Sequence, residues 1–198
     1  MAALCLLAFV VLGYASVRFG EPAWLMGFEI TLRGHSLLLA WILTWACYPY
    51  VLGPLYIASI VLAIVSPRWR APAIAAIVVS LLCWRGADLF QHLFARPRRL
   101  DWLVRHETAF SYPSSHAALA VGFYFFWANV IRASRMRPWT RWGGFGLLAL
   151  LTVAICWARL ALGAHYLTDV LGGALLGGAV SLLALAVAAR FGWELTRR

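Results

Sequence analysis

Apolar residues dominate the chain in long runs separated by short polar breaks. Six runs have about the length a helix needs to cross some 30 Å of hydrocarbon. They are residues 2–18, 50–66, 72–95, 114–132, 144–163 and 166–190. The stretch from Ser36 to Val65 carries no charge, and Pro49 and Gly53-Pro54 interrupt it. A proline breaks the helical hydrogen-bond ladder. The pattern therefore predicts an interfacial or re-entrant helix over 36–48 and a spanning helix after it. The first run has no basic residue before its apolar stretch, so it reads as a retained helix and not as a cleaved signal. Together these elements predict an all-α fold, a polytopic membrane bundle of six transmembrane helices in one domain over residues 1–198.

Composition sharpens the class. The 198 residues are 64% hydrophobic and only 12% charged, whereas soluble domains are about half apolar and about a quarter charged. All 17 basic residues are Arg, and the net charge is +10. On a soluble domain that balance would suggest nucleic acid. Here the arginines sort by side, which is how membrane proteins orient. Arg68 and Arg70, then Arg132, Arg135, Arg137 and Arg141, then Arg190, Arg197 and Arg198 all fall on one side of a six-helix arrangement, with the N-terminus. That side is expected to face the cytoplasm. Trp69, Trp139, Trp142 and Trp193 lie near the same boundary as an aromatic belt. A nucleic-acid partner is not expected. Cys5, Cys47, Cys83 and Cys156 each lie in an apolar stretch without a CxxC pair, so they read as small buried residues. Gly173 and Gly177 have the spacing that lets helices pack closely.

The other side breaks the orientation rule. It holds "QHLFARPRRLDWLVRHETAFSYPSSH" (91–116) and "ARLALGAHYLTD" (158–169). Basic residues there call for a local reason, and a bound polyanion is one. Pro113, Ser114 and Ser115 read as a helix start, whose free N–H groups favour phosphate. His116 lies in that first turn. Taken alone, these residues are better explained as an N-cap serine and an interfacial histidine. His165 and Asp169 are four residues apart, on one helix face. A carboxylate there can hold one ring N–H of the imidazole and leave the other nitrogen basic, as a nucleophile or general base needs. Arg159 closes the preceding helix with a donor fork suited to phosphate. An internally satisfied ion pair is the plainer alternative, but ionisable groups at membrane depth point to function. Arg96, Arg98 and Arg99 add a basic cluster.

These three stretches resemble the motifs of the type 2 phosphatidic acid phosphatase family, KxxxxxxRP, PSGH and SRxxxxxHxxxD. The first reads Gln91-x6-Arg98-Arg99, the second Pro113-Ser114-Ser115-His116, and the third Ala158-Arg159-x5-His165-x3-Asp169. The resemblance covers about residues 50–190, the expected catalytic core. Four positions depart from the pattern. Gln91 stands for the lysine, Arg99 for the proline, Ser115 for the glycine and Ala158 for the first serine. Arg96, Arg99 or Arg85 could restore the charge missing at Gln91, although an Arg85–Asp88 pair is the simpler reading.

The resemblance implies metal-free hydrolysis of a lipid phosphate or diphosphate through a phosphohistidine. His165 would attack phosphorus, Asp169 would hold its tautomer, and His116 would act as acid and then base. Arg98, Arg159, Gln91 and the N–H groups of Ser114 and Ser115 would bind phosphate oxygens. No cofactor is expected, since Glu21, Glu29, Asp88, Asp101, Glu107, Asp169 and Glu194 are scattered along the chain. The first expectation for substrate is undecaprenyl diphosphate. Phosphatidate, phosphatidylglycerol phosphate and lipid A phosphate stay open, as does transfer of the phosphoryl group to an acceptor lipid. The expected place is a bacterial inner membrane, with the site facing the periplasm or outside. A small transporter is the non-enzyme alternative. It predicts inverted repeats and broken helices at midplane, whereas the sequence shows no repeat and its polar residues gather at one interface.

Overall fold

A computed structural model describes residues 1–99, 103 and 109–190. Helix α1 spans Ala2–Phe19, α2 Ala23–Leu32, α3 Leu37–Trp45, α4 Pro49–Val65 and α5 Pro67–Phe94. After them come α6 (Ser115–Leu119), a π-helical segment (Ala120–Phe125), α7 (Phe126–Ala133), α8 (Pro138–Ala161) and α9 (Leu167–Arg190). No strand occurs among the described residues. Arg197, Arg198, Trp193, Glu194, Asp101 and Glu107 lie outside the described residues.

Helices α1, α5, α8 and α9 are each long and apolar enough to cross a membrane, and α3 with α4 forms a fifth such unit, bent by 41°. Pro49 starts α4 at that bend, as a first-turn proline can, having no N–H to lose. The span expected over 114–132 is not one uniform α-helix. It is the run α6, π-segment, α7, with helical dihedrals at both junctions. At about 1.5 Å per residue its 19 residues reach about 28 Å. The widened turn lies where Gly122 meets α5: a Cβ there would sit 2.5 Å from Cys83 Sγ. A π-turn in mid-helix often accompanies a functional site. The expected helix order therefore holds, while the six-span count does not follow from single-piece helices. Helix α2, which the hydropathy pattern did not single out, is an additional short element.

Helix α9 is the hub, packed by α1, α5 and α6. Its glycines set the distances. A Cβ on Gly172 would fall 2.4 Å from the Tyr112 ring, one on Gly173 2.3 Å from the Ser114 carbonyl oxygen, and one on Gly177 2.7 Å from the Ala118 carbonyl oxygen. Tyr112 in turn stacks on Phe9 at 5.5 Å, meets Phe94 edge-on at 5.0 Å, and donates to the Phe9 carbonyl at 2.5 Å. One buried ring thus ties α1, α5 and α9 to the residues just before α6. Gly173→Ala should lower the detergent melting temperature and, by pushing Ser114 away, depress activity further. Overpacking of a tight core costs about 1–3 kcal/mol. Gly178 has nothing within 4 Å of its Cβ position, so Gly178→Ala should be neutral or slightly stabilising. Equal melting curves for the two variants would show that α9 can shift to admit the methyl group.

Candidate active site

Successive antiparallel helices bring the C-terminal ends of α5 and α8 and the N-terminal ends of α6 and α9 together. The residues singled out from sequence converge there. Gly163, at φ +67°, ends α8 with a backbone turn that side-chain-bearing residues rarely adopt. The chain then presents His165 just ahead of α9. His165 and Asp169 are both buried, with Nδ1 3.4 Å from Asp169 Oδ2. On the other side of the ring, Arg98 Nη1 lies 3.3 Å from Nε2. A guanidinium has only donors, so Nε2 is the unprotonated nitrogen and Nδ1–H faces the carboxylate. Burial above all, and then Arg98, pushes His165 down to about 4. The imidazole is therefore neutral, and nucleophilic, at neutral pH.

Asp169 is held on every side. Arg96 Nη1 donates to Oδ1 at 2.5 Å, the Tyr166 N–H to Oδ2 at 3.0 Å, and the Ser111 hydroxyl also to Oδ2. Arg98 is half-buried at the rim. Besides His165 it donates to the carbonyls of Ala109 (2.9 Å), Phe110 (3.0 Å) and Ala164 (3.1 Å). Its guanidinium is thereby anchored to both the loop before α6 and the loop before α9.

The second stretch is locked to the third. The Ser114 N–H donates to the Asp169 carbonyl at 3.0 Å, and the Ser114 side chain caps α6 by accepting from the Ala117 N–H at 3.5 Å. Gln91 donates to the Pro113 carbonyl at 2.9 Å from a buried position, so its amide supports the loop that carries Ser114 and Ser115. Ser115 begins α6. His116 is buried, with Tyr48 edge-on at 5.2 Å. Its Nε2 makes no hydrogen bond among the described residues. It feels the charges of Arg159, His165 and Arg98. Arg159 is fully buried, and its Nη1 donates to Thr44 Oγ1 at 3.3 Å.

The arginines considered as substitutes for the missing lysine charge are engaged elsewhere. Arg96 bridges Asp169 and Glu21, Arg99 pairs with Glu29, and Arg85 meets Asp88 at 4.0 Å on the surface. The acidic residues are also less scattered than the sequence suggested. Glu21 and Glu29 fold onto the start of α9 beside Asp169, with arginines between them.

Residues not singled out complete the site. Thr44, Cys47 and Tyr48 come from the α3–α4 corner, which packs into the bundle and is not merely interfacial, and Cys47 Sγ donates to the His116 carbonyl at 3.5 Å. Ser111, Thr168 and Glu21 support Asp169. One signal for Glu21 and Glu29 was available: a carboxylate in an apolar stretch needs a basic partner.

The PAP2 superfamily model matches residues 70–193. The chain is 34% identical over 107 residues to the putative undecaprenyl-diphosphatase YbjG of Escherichia coli (strain K12), an alignment covering 53% of this chain and 49% of that protein. The chain thus spans about half the length of that curated relative. Its fold is like the crystal structure of the first transmembrane PAP2 type phosphatidylglycerolphosphate phosphatase from Bacillus subtilis, with a TM-score of 0.77, 17% identity and 96% of each chain covered. The apolar helices and this likeness of fold make the chain a multi-pass membrane protein.

Proposed function

The chain belongs to the PAP2 superfamily, and we propose that it is an integral membrane lipid phosphatase, a single domain over residues 1–198 whose catalytic core lies at about 50–190. One observation carries the reading most. His165 is clamped between Asp169 at Nδ1 and Arg98 at Nε2, so its basic nitrogen and a phosphate-binding guanidinium meet at one point.

In the first step His165 Nε2 forms the N–P bond as the P–O bond to the lipid, or to its inner phosphate, breaks. His116 gives a proton to the departing oxygen. In the second step water attacks phosphorus, His116 takes its proton, and the N–P bond breaks to release phosphate. Arg98, Arg159 and the Ser115 N–H hold the equatorial oxygens, supplying the positive charge that phosphoryl transfer requires; the Ser114 N–H, expected from the sequence to join them, is committed instead to the Asp169 carbonyl. Gln91 acts at one remove, through Pro113.

Undecaprenyl diphosphate is the first substrate of choice, supported by the name of the Escherichia coli relative and by a site gathered at one end of the helix bundle. The test is phosphate release by detergent-solubilised protein from undecaprenyl diphosphate, phosphatidate and phosphatidylglycerol phosphate. Undecaprenyl diphosphate is expected to be hydrolysed fastest, at a rate that EDTA leaves unchanged. Release from none of the three, or loss to EDTA restored by Mg²⁺, would overturn the reading.

The site is proposed to face the periplasm or outside of a bacterial inner membrane, because Arg68, Arg70 and Arg132–Arg141 gather at the other end. With the four native cysteines replaced by Ala, a cysteine at Glu107 should react in intact cells with a membrane-impermeant thiol reagent. A cysteine at Thr140 should stay unlabelled. The opposite pattern would place the site on the cytoplasmic leaflet.

A further inference from the structure

The segment between α1 and α2 lies outside the stretch that the family model matches, yet it enters the site. Glu21 Oε2 accepts from Arg96 Nη2 at 2.9 Å and from the Thr168 hydroxyl at 2.5 Å, while Oε1 accepts from the Thr168 N–H at 3.2 Å. Arg96 spends its other nitrogen on Thr168 Oγ1 at 2.7 Å and Asp169 Oδ1 at 2.5 Å. Its guanidinium lies over the Tyr166 ring at 4.2 Å. Both side chains of the Glu21–Arg96 pair are buried. A continuous relay therefore runs from Glu21 through Arg96 and Asp169 to His165 Nδ1.

From this geometry we infer that Glu21 is a positioning residue for the nucleophile, setting the orientation and charge of Asp169 through Arg96. The assignment rests on the proposed role of His165. Its physical basis is charge sharing. One buried guanidinium divides its attraction between two carboxylates. With Glu21 neutral, Arg96 acts on Asp169 alone and withdraws charge from the oxygens facing His165. Nδ1–H is then held less firmly, and the positive charge that grows on the ring as Nε2 bonds to phosphorus is less well balanced. Substrate binding, which falls to Arg98, Arg159 and the α6 N–H groups, is left alone. Outer partners that orient a metal-ligating histidine typically contribute about 10- to 100-fold, and an effect of that order is expected where the histidine attacks phosphorus.

Glu21→Gln keeps the shape and removes the charge. Its kcat should fall by about 10- to 100-fold, with KM within about threefold. Glu21→Asp, which keeps the charge on a shorter arm, should recover part of the loss and serves as the second variant where Gln fails to fold. Glu29→Gln is the control. Glu29 hydrogen-bonds to Glu21, accepts from the neighbouring Leu167 N–H at 2.6 Å and pairs with Arg99, without touching Arg96 or Asp169, and a glutamine amide can keep the bond to Glu21. It should lower the melting temperature and leave kcat nearly unchanged. A kcat loss as large in Glu29→Gln as in Glu21→Gln would assign the effect to capping of α9 and overturn the relay, as would an unchanged kcat in Glu21→Gln. The Nδ1 proton resonance of His165 gives a readout independent of turnover. It should move in Glu21→Gln and stay in Glu29→Gln, even if wild-type protein hydrolyses none of the lipids tried and the phosphatase reading fails. An unmoved resonance in Glu21→Gln would also overturn the relay.

Discussion

Replacing His165 with Asn is expected to abolish turnover while the protein stays folded. The lone pair of the asparagine amide nitrogen is delocalised into its carbonyl and cannot attack phosphorus, so the covalent route closes. The surroundings should survive. Asp169 keeps Arg96, Ser111 and the Tyr166 N–H as donors, and the amide can still donate towards it. Loss of a nucleophile that works with its partner as a unit is grossly non-additive, and on the order of 10⁴-fold or more in kcat is expected, about 5.5 kcal/mol of barrier. Wild-type protein quenched during turnover should carry phosphate that is labile in acid and stable in alkali, as a phosphohistidine is. The variant should carry none. Phosphate release near the wild-type rate by folded His165→Asn protein would remove His165 from the chemistry.

Arg98→Gln should have the next largest effect. The side chain faces His165 Nε2 at 3.3 Å and is aimed by three carbonyls. A guanidinium so fixed can meet phosphoryl oxygens without reorganising as the N–P bond forms. Removing a preorganised donor of this kind costs about 10²–10³ in rate, about 2.7–4 kcal/mol. Arg98→Lys should rescue little, because one ammonium cannot hold three carbonyls and a phosphate together.

The same variant carries a pH signature. His165 is pushed down to about 4 by burial first and Arg98 second. Burial remains in the variant and Arg98 does not, so the imidazole becomes easier to protonate. The protonated ring cannot attack, and the acid limb of kcat/KM should therefore move to higher pH in Arg98→Gln. A rate loss under tenfold with an unmoved acid limb would mean that Arg98 is a loop anchor alone.

The hydropathy pattern carried the fold a long way. Expected spans at 2–18, 72–95 and 166–190 lie within a few residues of α1, α5 and α9, because helices in a bilayer must satisfy their own backbone hydrogen bonds and need a fixed apolar length. The break at Pro49 was legible for a similar reason: its missing N–H leaves it at a helix start. Helix α2 was not legible, since its ten residues are too few to cross and its glutamate obscures the apolar pattern. The π-segment was also hidden, because it answers to the contact of Gly122 with Cys83 across the bundle.

For the site, sequence determined what depends on spacing within one helix or turn. His165 and Asp169 lie one turn apart, Ser114 caps α6, and Arg159 ends α8. Each follows from local geometry, which the chain encodes directly. Only the tertiary structure decided which charges meet across the chain. Arg96, Arg98 and Arg99 are near neighbours in sequence, yet one joins Asp169 and Glu21, one faces His165 and one binds Glu29. Gln91, which the motif alone would set against phosphate, supports Pro113. Thr44 and Tyr48 reach Arg159 and His116 from a helix about 70 to 115 residues away. Such pairings depend on how α3, α5 and α9 pack, and packing is fixed by the close approaches at Gly172, Gly173 and Gly177 and by the buried Tyr112 ring. A side chain's partner in a membrane bundle is chosen by those distances, because a buried charge must be answered by whatever opposite charge the packing brings within reach.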